Sequence, residues 1–150
     1  MNNASSSLPA ISYQATCIAI GTRAILIEGP SGSGKSSLAL ELIDRGAVLV
    51  GDDGVWLQPH GERLIARPHP NIRGLIEVRN LGILPFPVID EATVSLLIRL
   101  DPEAPRFIEE AETARIAGQS LPMVRLWPSG RALAMKAELA LRTYGLQPSA

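Results

Sequence analysis

Gly29-Pro30-Ser31-Gly32-Ser33-Gly34-Lys35-Ser36 fits the pattern G-x-x-x-x-G-K-[ST] at every fixed position. The run before it, Ala24–Glu28, is apolar and rich in Ile, which suits a buried strand. The run after it, Ser37–Arg45, sets Leu38 and Leu42 on one face at helical spacing. A strand, this loop and a helix in that order form the setting in which the pattern binds phosphate. Its glycines open backbone torsions closed to other residues and let N–H groups approach phosphate oxygens. The helix N-terminus points further N–H groups and partial positive charge at the same place. Gly29 through Ser37 is therefore the expected nucleotide-binding segment. Within it Lys35 would meet the β- and γ-phosphates, and the Ser36 hydroxyl would serve Mg²⁺. The bland alternative is a Gly/Ser turn that only caps a helix.

Outward from this loop, the chain reads as one α/β domain. Its 150 residues suffice for a real core, and its net charge of −1 offers no basic surplus for nucleic acid or an anionic membrane. Aromatic residues make up 4% of the chain, too few for a base-stacking surface. The single cysteine, Cys17, excludes an intrachain disulfide and lies in an apolar run, as a buried thiol would. With no apolar run of transmembrane length and no signal peptide at its start, the sequence predicts a soluble cytoplasmic protein. Residues 1–10 read as a disordered tail and 11–146 as the domain.

Thr16–Ile20 and Arg23–Glu28 are joined by Gly21-Thr22, which predicts a tight antiparallel hairpin with a type II′ turn. The strand leading into the phosphate loop then has an antiparallel neighbour, so the sheet is expected to be mixed. Gly46 marks the end of the helix, and Ala47–Val50 is a compact strand. Val55–Gln58 and Arg63–Ala66 form a second hairpin around Pro59–Glu62. Arg67–Gly74 reads as a mobile loop, Leu75–Val78 as either extended or a short helix, and Leu84–Val88 as irregular. Thr93–Leu100 is the longest strand, Phe107–Ile116 has no clear pattern, Pro122–Leu126 is a short strand and Arg131–Tyr144 a closing helix.

Asp52-Asp53 ends an apolar strand, the position of a carboxylate that holds Mg²⁺. Neighbouring carboxylates there point apart, so one can serve the metal and the other accept a proton from an attacking hydroxyl. Which does which stays open, and Asp-Asp-Gly is also good turn chemistry. Arg67, Arg73, Arg79, Arg125 and Arg131 are candidates to steady a transferred phosphoryl group. Arg79 follows Glu77 by two residues, so both point the same way if the segment is extended. His60 and His69 sit beside turn prolines and read as surface residues.

Three segments together resemble the HPr kinase/phosphorylase family: Gly29–Ser36, then Ile43–Asp53, then Ile76–Leu84 with its Glu-Val-Arg-Asn-Leu-Gly-Ile run. The resemblance covers Ala15 to Leu84. It implies a fold related to phosphoenolpyruvate carboxykinase, a P-loop on a mixed sheet flanked by helices. It implies an ATP- and Mg²⁺-dependent serine kinase acting on HPr, the small phosphocarrier of the bacterial sugar phosphotransferase system. Phosphate removal by phosphorolysis and a hexameric homo-oligomer are also implied. Many members carry an N-terminal domain, and this chain is of the length of the compact proteobacterial forms. By the same resemblance Lys35, Asp52, Asp53 and Arg79 are catalytic, and Ser36, Asp52, Asp53 and Glu77 face the metal. Three positions depart from the family: Gln14 replaces a His, Ser37 an acidic residue and Asn80 a Gly. The departures at Gln14 and Ser37 motivate a second reading, a nucleotide-binding regulatory module with impaired turnover. A generic small-molecule P-loop kinase is a weaker third, because no arginine-rich lid lies between two helices.

Overall fold

The computed structural model describes residues 8–148. Eleven strands and two helices follow in order: β1 Ile11–Tyr13, β2 Thr16–Ile20, β3 Arg23–Glu28, α1 Lys35–Asp44, β4 Val48–Gly51, β5 Val55–His60, β6 Arg63–Pro68, β7 Leu75–Val78, β8 Gly82–Pro85, β9 Ala92–Leu100, β10 Glu112–Ile116, β11 Gln119–Leu126 and α2 Leu133–Tyr144. Nine strands form one sheet in the path β1-β5-β6-β9-β3-β2-β4, with β11 also beside β9 and β10 beside β11; β7 and β8 pair separately.

The strand that feeds the Gly29–Ser36 loop sits at the centre of this sheet. β3 pairs antiparallel with β2 and parallel with β9. The mixed sheet expected from the Gly21-Thr22 hairpin is thus present, and of these two residues only Gly21 has a positive φ, 63°, as a type II′ turn requires. β2 and β3 are apolar on both sides because both sides are covered. Ile18, Ile25 and Ile27 pack with Leu38, Ala39 and Leu42 of α1 and Leu133, Ala137 and Leu141 of α2. Their alternate neighbours Cys17, Ala24 and Leu26 pack with Val55, Leu57, Leu64 and Met123 from other strands. Both helices therefore lie against one face, and the sheet folds over to close the other; helices do not flank the sheet on two sides. Burial pushes the Cys17 thiol well above its ordinary range, which leaves it an inert core group.

Helix α1 stops where Gly46 predicts. Gly46 N–H donates to Ile43 O at 3.0 Å and Ala47 N–H to Leu42 O at 2.9 Å, the paired bonds of a Schellman end. The second hairpin is present with a shorter turn, since Pro59 and His60 belong to β5.

Elsewhere the structure corrects local expectations. Arg67 and Pro68 end β6, and Pro70–Ile72 form a 3-10 turn that the His69 side chain caps, so the expected mobile loop is partly built structure. Leu75–Val78 is extended, and Leu84 and Pro85 pair with it despite their prolines because β8 has no other neighbour to satisfy. Glu112–Ile116, polar on its exposed side, is a strand paired to β11. Residues 1–7 of the expected tail lie outside the described residues, whereas Leu8 N–H donates to Pro59 O at 3.2 Å. Among the described residues no helix is long and apolar enough to cross a membrane.

Candidate active site

The loop between β3 and α1 is shaped as a cradle. Gly32 and Gly34 have φ of 79° and 98°, torsions that an L side chain strains to adopt. A Cβ on Gly29 would meet Ser33 Oγ at 2.6 Å and Leu100 O at 3.3 Å, so the loop packs tightly against its own Ser33 and the end of β9 there. Ser33 Oγ is itself buried without a hydrogen-bond partner among the described residues. No side chain caps α1 at Gly34, and the first intrahelical bond is donated by Leu38. The earlier N–H groups of the helix are left for a ligand.

Lys35 lies across this cradle. Its Nζ donates to Gly29 O at 2.9 Å and Pro30 O at 3.0 Å, and it has no acidic partner among the described residues. The positive charge is thus placed by the loop itself and not neutralised. At the next residue, Ser36 Oγ donates to Asp52 Oδ1 at 2.7 Å, and Thr16 Oγ1 donates to the same oxygen at 3.1 Å. Asp52 is only 9% exposed. A carboxylate with that little solvent relies on such donors. The donor set — one hydroxyl, one carboxylate, and room for phosphate oxygens — fits a hard cation such as Mg²⁺, which keeps most of its shell from water and phosphate. No group of three or more His, Cys, Asp and Glu side chains clusters around a metal position among the described residues.

Asp53 takes a different direction. Its φ is 63°, in the left-handed region that Asp tolerates better than most residues. That torsion turns it away from Asp52 and into solvent, where Gln14 Nε2 donates to its Oδ1 at 3.4 Å. The two adjacent carboxylates are thereby separated into a buried one and an open one.

Two cavities meet at this point. One of ≈ 520 Å³ is lined by Ser36, Ser37, Asp52, Glu77 and Arg79, with Ile83 on its apolar wall. The other, ≈ 660 Å³, is lined by Gln14, Glu28, Gly29, Arg99 and Asp101. Lys35, Asp53 and Ser31 line both. The structure therefore brings Lys35, Ser36, Asp52, Asp53, Glu77 and Arg79 to one site, with Glu77 and Arg79 on the same side of β7 and its turn. Of the other arginines, Arg67 pairs with Glu91, Arg73 with Asp90, and Arg125 with Asp101 and Glu112. Arg79 has no hydrogen-bonding or ionic partner among the described residues, and its exposed position leaves it available. His60 is exposed, while His69 stacks on Trp56 with ring centroids 5.3 Å apart, a half-buried structural contact.

Sequence reasoning did not find Thr16, Tyr13, Glu28 or Arg99 as parts of the site. Thr16 reaches Asp52 only because β2 lies beside β4, a register that short-range patterns do not encode. Asn80 has φ of 73°, a left-handed turn position where Asn is, after Gly, the best-suited residue.

A family model described as the HPr Serine kinase C-terminal domain matches residues 7–149. The chain belongs to this family. The HPr kinase/phosphorylase of Burkholderia cenocepacia is 37% identical over 136 residues, and that of Exiguobacterium sp. is 34% identical over 137. Each alignment takes in 82% of this chain but only 42% and 44% of the respective relative. The chain spans less than half the length of the curated relatives it matches. The solved Hpr(Ser) kinase/phosphatase from Coxiella burnetii superposes with a TM-score of 0.79 at 29% identity, covering 88% of both chains. The mixed α/β architecture is thus that of an HPr kinase structure over most of the chain.

Proposed function

We propose that this HPr kinase family member is a serine protein kinase that uses Mg-ATP and acts on HPr or an HPr-like phosphocarrier in the cytoplasm, regulating a phosphotransferase system. The observation that carries the reading is the separation of Asp52 from Asp53. A buried carboxylate bonded to Ser36 and an open one beside Lys35 are the two groups that metal-assisted transfer to a hydroxyl needs. Relatives named HPr kinase/phosphorylase support the substrate class.

In this mechanism the backbone N–H groups from Gly32 to Ser36 hold the donor's phosphates. Lys35 supplies its full charge where the β- and γ-phosphates lie. Ser36 and Asp52 would hold Mg²⁺, with Glu77 as a further carboxylate lining the same cavity, and the metal would supply charge stabilisation to the phosphates. Asp53, held by Gln14, accepts the proton of the incoming seryl hydroxyl, and Arg79 offers a guanidinium without a competing acid. The fold relation is to phosphoenolpyruvate carboxykinase, and residues 11–146 act as one domain.

A second reading has its own observation. Gln14 presents an amide to Asp53, and an amide takes up no proton. A chain built this way can bind nucleotide with turnover reduced, most of all in the phosphorylase direction. Incubation with Mg-ATP and an HPr-type protein, followed by mass spectrometry for phosphoserine, separates the two. Phosphoserine on the partner supports the kinase. Nucleotide binding without it supports the regulatory module.

A further inference from the structure

Residues 13 to 16 donate three hydrogen bonds to three carboxylates. Tyr13 donates its hydroxyl to Glu28 Oε2, Gln14 its amide to Asp53 and Thr16 its hydroxyl to Asp52. Two of these carboxylates are the site's own. The third, Glu28, is the last residue of β3 and stands immediately before Gly29. Its other oxygen, Oε1, accepts from Arg99 Nη2 at 2.9 Å, and Arg99 is its register partner on β9.

The topology makes the Tyr13 contact a long-range one. β1 has three residues, pairs only with β5, and lies at the far end of the strand path from β2, which follows it in sequence. The Tyr13 hydroxyl adds a side-chain tie from the end of this short edge strand to the base of the phosphate loop, beside the backbone pairing of Tyr13 with Val55 and of Thr16 with Ile27. Burial first, and then the Glu28 contact, raise the Tyr13 phenol above its ordinary range, so it remains a donor at any working pH. Glu28 is held firmly, with a side chain 17% exposed.

Gln14 is the next residue, and its own hold is weak. It is exposed, and its contact to Asp53 is, at 3.4 Å, longer than that of Thr16 to Asp52, at 3.1 Å. An exposed amide at that distance is set in place by its backbone, not by its own bond. Its backbone is anchored on one side by Tyr13 and on the other by Ala15 and Thr16, which are buried. The Tyr13 backbone also pairs with Val55 of β5, so removing the hydroxyl leaves that pairing in place and loosens only the side-chain tie to Glu28.

We infer that Tyr13, through its bond to the Glu28–Arg99 pair, is a positioning residue that sets Gln14 over Asp53. The inference rests on the proposed transfer at Asp53 for its kinetic consequence but not for its structural one. Tyr13→Phe keeps the ring and removes only the donor. In that variant the Gln14 side-chain amide resonances, assigned by NMR, shift from their parent positions as the contact to Asp53 is lost. Resonances that stay at their parent positions overturn the inference whether or not the protein turns over. In the kinase assay Tyr13→Phe lowers kcat roughly threefold to tenfold, the scale of one hydrogen bond, with KM for Mg-ATP unchanged. In a Gln14→Ala background it lowers kcat no further, because it acts through Gln14. A full additional loss there, or a loss confined to KM, contradicts the assignment. Should Tyr13→Phe fail to fold, Glu28→Gln removes a charged acceptor at equal volume and is read by the same two measurements. Absence of phosphoserine with the parent protein would count against the kinase reading alone, since the NMR result still decides the positioning.

Discussion

The two carboxylates at the end of β4 live in opposite conditions. Asp52 is buried, accepts from Ser36 at 2.7 Å and Thr16 at 3.1 Å, and could hardly be moved without disturbing the core. Asp53, one residue on, is exposed, sits in a left-handed torsion and meets a single amide at 3.4 Å. In the proposed mechanism the phosphate side of the site is thus fixed by packing, whereas the proton side is fixed by a loop contact. Groups that hold charge gain from rigid placement in a dry setting. A group that exchanges protons with a partner has to stay reachable. Within this chain, then, the loosely held side is where residue changes tune function without cost to the fold.

The largest expected effect comes from removing the open carboxylate. Asp53→Asn keeps the shape and tolerates the torsion, so the fold and Mg-nucleotide affinity hold. Turnover falls by about 10²–10⁴, the range for losing a general base. A loss of nucleotide affinity as large as the loss of turnover would place Asp53 on the metal side and dissolve the contrast. Lys35→Ala comes next. It removes an unpaired charge from the phosphates and weakens Mg-ATP binding by up to about 3 kcal/mol by calorimetry, with a further loss in turnover. Binding equal to that of the parent protein would show the cradle to be misassigned.

Smaller effects sharpen the comparison. Thr16→Val leaves Asp52 with one hydroxyl fewer at similar volume and costs about 1 kcal/mol in denaturant unfolding. It also weakens Mg-nucleotide binding, because Asp52 then turns more freely. Stability unchanged by Thr16→Val would mean that Asp52 is not held as described. Gln14→His, on the loose side, leaves stability and forward transfer within about twofold and raises phosphorolysis several-fold, since imidazole can pass a proton to Asp53 and an amide cannot. Equal gains in both directions would remove the distinction between the two sides.

Much of the rigid side was legible in the sequence. The pattern from Gly29 to Ser36, the strand before it and the helix after it are local signals, and Gly21-Thr22 disclosed an antiparallel neighbour and hence a mixed sheet. The spacing of Glu77 and Arg79 placed both on one side once the segment proved extended. Contacts made by register were not legible. Thr16 serves Asp52 because β2 and β4 are neighbours, and Tyr13 meets Glu28 because a three-residue edge strand ends beside β3. β10 was missed because Glu112 on one side and Thr113 and Arg115 on the other are exposed, which breaks the apolar alternation without breaking the ladder. The placement of both helices on one face likewise depends on how the sheet folds over, which no single stretch encodes.

The division of labour between Asp52 and Asp53 is tested most directly by one comparison. The parent protein and Asp53→Asn are each incubated with Mg-ATP and an HPr-type phosphocarrier, with phosphoserine read by mass spectrometry and Mg-ATP affinity by calorimetry on the same samples. The account predicts phosphoserine from the parent, at least a hundredfold less from Asp53→Asn, and the same affinity in both. Equal phosphoserine from the two proteins would contradict it.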